Sequence, residues 1–179
     1  ILVAGYLDER NRAKLKEYHA KGIPIAIATD QLDEALVSVQ ADFTQTGALA
    51  AELLSSQLPA GSKILVDAGG VNIRSHFLMA QGFEEYLKAK NAGINYVFVH
   101  GYGEEHEQFV RGRVEELLDT DPSIRAMFSV NARGSVLLSE IVRKRGCAGQ
   151  IRLVGNDLFD ENIQSMKDGV MQNIIFKSP

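Results

Sequence analysis

Five apolar, strand-like runs in this chain each end in a cluster of polar or glycine residues, with helical segments between them. IPIAIA leads to Thr29, Asp30 and Gln31. KILV leads to Asp67, Gly69, Gly70, Asn72 and Arg74. NYVFV leads to His100, Tyr102 and Glu104, RAMFSV to Asn131 and Arg133, and IRLVG to Asn156 and Asp157. No other feature constrains the fold as strongly. Alternating strands and helices imply crossover connections and a mostly parallel sheet, so the fold class is α/β with doubly wound parallel sheets. A parallel sheet places all its strand C-termini on one side, where open α/β sheets bind ligands. The five clusters are therefore expected to converge on one pocket.

Helices are expected over 8–20, 43–55, 75–89, 104–118, 135–144 and 160–167. Strands are expected over 1–4, 23–28, 37–40, 63–67, 94–99, 125–130, 151–155 and 170–176. Gly22 supplies a helix stop, and Pro59 with Gly61 breaks the second helix. The turn-rich LPAGS segment at 58–62 is the best candidate boundary. It divides a partial first lobe (1–58) from a second lobe (59–170), with 171–179 crossing back toward the first. ILVAG reads as a strand with no polar lead-in, and NIIFKSP stops as a strand finishes, so a piece of a longer protein is expected.

Apolar residues make up 45% of the chain and charged residues 23%, the balance of a globular protein rather than a disordered one. No apolar run approaches the ~18 residues of a membrane span. The net charge of −4 comes with no basic stripe of the kind that marks nucleic-acid binders. KEYHAK and RKR (143–145) read as solvated helix faces. The single cysteine, Cys147, excludes an intrachain disulfide and a cysteine-based zinc site. A reducing cytoplasm fits this usage, and so does a disulfide-free periplasmic protein.

The chemistry-bearing residues point to binding rather than catalysis. Gly69–Gly70 ahead of Asn72 and Arg74 lets backbone N–H groups approach a ligand, but it is neither a dinucleotide fingerprint nor a Walker loop. HGYGEEHE (100–107) lacks the H-E-x-x-H spacing, and its acids suit the first turn of a helix. No G-x-S-x-G elbow is present, and neither Ser129 nor Ser135 has a histidine base by position. Asn131 and Asp157 each follow a strand and could cap the next helix. With Arg74 they also make an amide, a carboxylate and a guanidinium on one sheet edge, a set suited to vicinal hydroxyls.

With these residues in view, the chain resembles the ligand-binding domain of the type I periplasmic-binding-protein group. That group includes LacI-type transcription regulators and the sugar-binding proteins of ABC transporters. The resemblance runs the whole length, through GIPIAIATD, VQADFTQTGALAAELL, KILVDAGGVNIRSHFLMAQGFEEYL, DPSIRAMFSVNARGSVLLSEI and IRLVGNDLFDENIQSMKDGVMQNIIFKSP. It implies two doubly wound lobes joined by three crossings and closing like a hinge, here with one lobe complete and one partial. It implies that Arg74, Asn131 and Asp157 sit at ligand-binding positions, with Asp30 and Gln31 in the first lobe's contributing loop. Tyr102 and Phe159 become candidates for stacking on a sugar ring, whereas Phe128 suits the core. Two departures stand out. Ala132 replaces a frequent aspartate, and Lys177 replaces a frequent glutamine. Lys177 adds a charge that favours an acidic or phosphorylated sugar, or it pairs with Asp157.

The resulting expectation is a cytoplasmic, homodimeric effector domain of a LacI-type regulator. It takes a sugar-like ligand, needs no cofactor or metal, and touches neither membrane nor DNA except through a domain outside this chain. Ligand binding would shift a population of domain arrangements. A periplasmic transport receptor is the alternative reading, with an α/β enzyme on a small polar substrate behind it.

Overall fold

The apolar runs build two parallel sheets, seen in a computed structural model that describes residues 1–4, 7–28, 30–90, 93–101 and 103–177, with the backbone alone at residue 105. Strands β1 (Leu2–Ala4), β2 (Ala26–Ala28) and β3 (Val37–Val39) lie side by side in that order, all parallel. Helix α1 (Glu9–Ala20) links the first two. The Asp8 carboxylate caps it by accepting from the Asn11 backbone N–H at 2.6 Å. Its Leu15 joins Leu7, Ile25, Ile27 and Leu32 in a small core.

The rest of the chain forms one larger unit. Helix α2 (Phe43–Ser55) is followed by β4 (Lys63–Gly69), α3 (Arg74–Lys90), β5 (Asn95–His100), α4 (Glu104–Thr120), β6 (Ile124–Ser129), α5 (Ala132–Lys144), β7 (Arg152–Asn156), α6 (Asp160–Lys167) and β8 (Asn173–Ile175). The five strands run in the order β5-β4-β6-β7-β8, every pair parallel. The strands expected around Ile64, Val97, Met127 and Leu153 do form one parallel sheet. Alternation along each strand divides the core. Ile64, Val66 and Phe128 face α2 and α3, while Leu65, Met127 and Leu153 face α4 and α5. Helices cover both faces, as a doubly wound sheet requires.

Two expectations need correction. The turn at 58–62 does not separate the cores. Phe43, Ala50, Ala51 and Leu54 of α2 belong to the same cluster as Ile64, Phe83 and Phe128, so the change of unit comes before α2. Composition marked 58–62 because Pro and Gly end a helix, and a helix end is not a core boundary. The segment after 171 does not simply leave the second lobe, because β8 pairs in parallel with β7 at the sheet edge. The strand is shorter than expected because Val170 and Met171 turn into the core instead.

Candidate functional site

The C-terminal edge of the five-stranded sheet carries a hollow of about 280 Å³, lined among others by His76, Asn131, Arg133, Asp157, Phe159 and Lys177. Each arrives there for a local reason. Asn131 follows β6 in extended conformation, and its Oδ1 caps α5 by accepting from the Gly134 N–H at 2.7 Å. Asp157 follows β7 and, at φ 63°, is the one non-glycine residue at positive φ among the described residues. Aspartate tolerates this left-handed region better than most residues. The twist turns its carboxylate away from the next helix, which starts behind Phe159 with no side-chain cap. Capping therefore describes Asn131 and not Asp157.

Asp157 pairs instead with Lys177, its Oδ1 2.7 Å from Nζ. The same ammonium donates to Asn156 Oδ1 at 2.7 Å. Asn156 is fully buried, and its amide donates to the Ser129 carbonyl at 3.0 Å. Lys177 is thus anchored from within the sheet. Phe159 is half exposed and offers an apolar face to the hollow.

The other expected residues lie elsewhere. Arg74 begins α3 but does not line the hollow, because its Nη2 donates to Gln31 Oε1 at 3.0 Å, across to the first unit. Asp30 is buried and engaged by the first unit itself. Arg12 Nη2 donates to its two oxygens at 2.8 and 2.9 Å, and the N–H groups of Leu7 and Gln31 add 3.1 and 2.7 Å contacts. Its carboxylate holds the ends of that unit's loops together. Tyr102 lies outside the described residues. The ends of β6 and β7 both bring a residue to this hollow, whereas the side chains of Arg74 and Asp30 are engaged with Gln31 and Arg12.

His76 was missed. It is buried, and its Nδ1 accepts from the Gly70 N–H at 3.1 Å. The Gly69–Gly70 turn therefore wraps an imidazole rather than an anion, and any side chain at Gly69 would strike that ring. Burial, and after it the Lys177 charge, pulls the His76 pKa down to about 4, so the ring is neutral at pH 7. Nothing in the local sequence separates this histidine from a solvent-facing one in a first helical turn.

Behind the hollow, Asp67 is buried beneath Ser129, whose hydroxyl donates to Oδ2 at 2.8 Å. Burial pushes its carboxyl up to about 6, against the lowering effects of the Ser129 hydroxyl and the Gly69 N–H. The Asn131 carbonyl lies 3.0 Å from Ser129 Oγ as a second acceptor in reach of that one hydroxyl hydrogen, and the Asn131 N–H donates to Oγ at 3.3 Å, so Ser129 links Asp67 to the loop that carries Asn131. Among the described residues no group of three His, Cys, Asp or Glu side chains is placed to hold a metal ion. No helix there is long and apolar enough to cross a membrane.

The sequence profile of the periplasmic binding protein domain matches residues 7–179, and the chain belongs to that family. No curated protein sequence matches it. Solved structures share the fold at low identity. An ABC transporter solute-binding protein from Burkholderia graminis, in complex with D-arabinose, superposes with TM-score 0.86 at 20% identity over 100% of this chain and 63% of its own. The periplasmic component of an ABC-type sugar transport system from Hahella chejuensis gives 0.80 at 23%, over 94% of this chain and 60% of its own. A LacI-type transcriptional regulator from Bacteroides fragilis gives 0.81 at 16%, over 98% and 61%. This chain therefore spans less than two thirds of the length of these relatives.

Proposed function

We propose that this member of the periplasmic binding protein family binds a sugar at the C-terminal edge of its five-stranded sheet and serves as the receptor component of a transport system. The observation that carries the reading is the composition of one hollow. Asn131, Asp157 and Lys177 supply hydrogen-bonding groups on fixed supports, and Phe159 supplies an apolar face. A sugar presents hydroxyls that both donate and accept around an apolar ring face, and this set matches it.

The receptor reading comes ahead of the regulator because two of the similar structures are transport-system components, one with D-arabinose bound, against one regulator. The test is calorimetry on the full-length protein with a panel of monosaccharides. Asp157→Ala should weaken the best binder by roughly 1.5–3 kcal/mol, the scale of a charge-assisted hydrogen bond. Unaltered affinity in that variant would remove this hollow as the site. A sugar-dependent shift of DNA mobility by the full-length protein would restore the regulator to first place.

A further inference from the structure

The charges around the hollow are balanced within the protein. Lys177 faces Asp157 at 2.7 Å, and Arg133 Nη2 faces Glu107 Oε2 at 3.1 Å. His76 is neutral, its pKa lowered by burial to about 4. Arg74 is not part of the lining and donates to Gln31 instead. Yet Lys177 and Asp157 keep hydrogen-bonding capacity. An ammonium has three N–H donors, and two acceptors are present among the described residues, Asn156 Oδ1 and Asp157 Oδ1. Asp157 Oδ2 has no hydrogen bond among the described residues, while Oδ1 holds Lys177. One donor and one acceptor therefore stand side by side.

We propose that Lys177 is a specificity-determining residue of this crevice: with Asp157 it forms a charge-balanced donor–acceptor pair that reads two adjacent hydroxyls of an uncharged polyol and discriminates against sugar acids and sugar phosphates. One hydroxyl accepts from the free N–H of Lys177, and its neighbour donates to Asp157 Oδ2. A ligand carboxylate gains little from an ammonium already neutralised. It also has to sit beside the Asp157 carboxylate, which is the repulsive element that specificity requires. Asn156 makes the arrangement stiff, because its own amide is tied to the Ser129 carbonyl and it holds Nζ from the far side. The positive charge that the sequence suggested for sugar acids is thus cancelled by the fold.

This proposal rests on the sugar-binding reading, and the experiment separates the two. Full-length protein is titrated with matched neutral and acidic probes: D-galactose with D-galacturonate, D-glucose with D-glucuronate, D-ribose with D-ribose 5-phosphate. In the wild type the neutral member of the pair that binds is expected to bind at least about tenfold tighter. Asp157→Asn keeps size and one acceptor but leaves the Lys177 charge unmatched. It should move the acid-to-neutral preference toward the acid by about tenfold or more. Lys177→Met should weaken the neutral sugar and abolish the effect of adding Asp157→Asn. Thermal melts confirm that each variant is folded. Tighter binding of the acid by the wild type, or an unmoved preference in Asp157→Asn, overturns the proposal while leaving sugar binding intact. No binding of any probe overturns the sugar reading itself, and this proposal with it.

Discussion

Asp67 and His76 are buried on the two sides of the β4–α3 turn and titrate in opposite senses, which makes their contributions separable. The folded pKa of Asp67 is raised from 3.8 to about 6. Its stabilising contribution is therefore complete below pH 3.8 and lost as pH rises through 6, by something on the order of 2–3 kcal/mol. His76 is lowered from 6.5 to about 4, so its contribution is present above pH 6.5 and lost as pH falls through 4. Asp67→Asn removes the first term only. Relative to wild type, the variant should gain in Tm as pH rises from 4 to 7, and a constant difference across that range would refute the assignment. Asn131 offers a second test at this scale. Its Oδ1 caps α5, while its Nδ2 makes no hydrogen bond among the described residues. Asn131→Asp preserves an equally good cap and removes the amide donor. Tm should hold within about 0.5 kcal/mol equivalent while sugar affinity falls. Loss of stability with unchanged affinity would make Asn131 a cap alone. Asn131 stood out in the sequence, but only the fold distinguishes its oxygen, engaged by the backbone, from its amide nitrogen, which makes no hydrogen bond among the described residues.

At the scale of elements, α2 and α3 show what period alone misses. Helix α2 spans the expected Phe43–Ser55, because Asp42 caps it and its small and leucine residues repeat at helical spacing. The face it presents is ordinary in sequence, yet Gly47 and Gly82 let the two helix backbones touch. A methyl group at Gly47 would collide with the Met79 carbonyl, and one at Gly82 with the Thr44 carbonyl. Because backbone cannot move aside as a side chain can, Gly47→Ala and Gly82→Ala should each cost at least roughly 1–3 kcal/mol. Normally a helical Gly→Ala change stabilises by up to about 1 kcal/mol. Urea denaturation decides the sign, and a stabilised variant would show that the helices are further apart. The expected strands are shifted by up to three residues at their ends, where the last residue turns out to be set by ladder pairing.

For the whole molecule, the two cores differ greatly in size. The first unit buries Leu7, Leu15, Ile25, Ile27 and Leu32, and β3 lies exposed at its sheet edge. The second buries apolar layers on both faces of five strands. Stability scales with buried apolar area, so the first unit should open before the second. Native-state hydrogen exchange on this chain should show the amides of β2 exchanging well ahead of those of β4 and β6. Uniform protection would mean that the units unfold as one. Ligand affinity should follow the same asymmetry. The residues of the second unit's hollow reach solvent, with Phe159 half exposed and Asp157 partly exposed, and a polar contact left in water is worth less than one enclosed. This chain alone should therefore bind sugar much more weakly than the full-length protein. Equal affinity in calorimetry would show that one lobe suffices.

Periodicity and turn residues determined most of the architecture. Alternating strands and helices, their caps and their glycine stops are local, and local signals are written in neighbouring residues. The same signals pointed to the C-terminal sheet edge and to Asn131 and Asp157, whereas Lys177 and Phe159 came into view through the family resemblance. What they left open is long-range. Only the tertiary structure decided that α2 belongs to the second core, that Asp30 is bound by Arg12, and that Arg74 reaches Gln31. It also decided between the two roles open to Lys177, by bringing it within 2.7 Å of Asp157, twenty residues away. A charged side chain has one net effect when paired and another when free. Pairing depends on which distant carboxylate the fold delivers, so the electrostatic character of the hollow is a property of the folded chain.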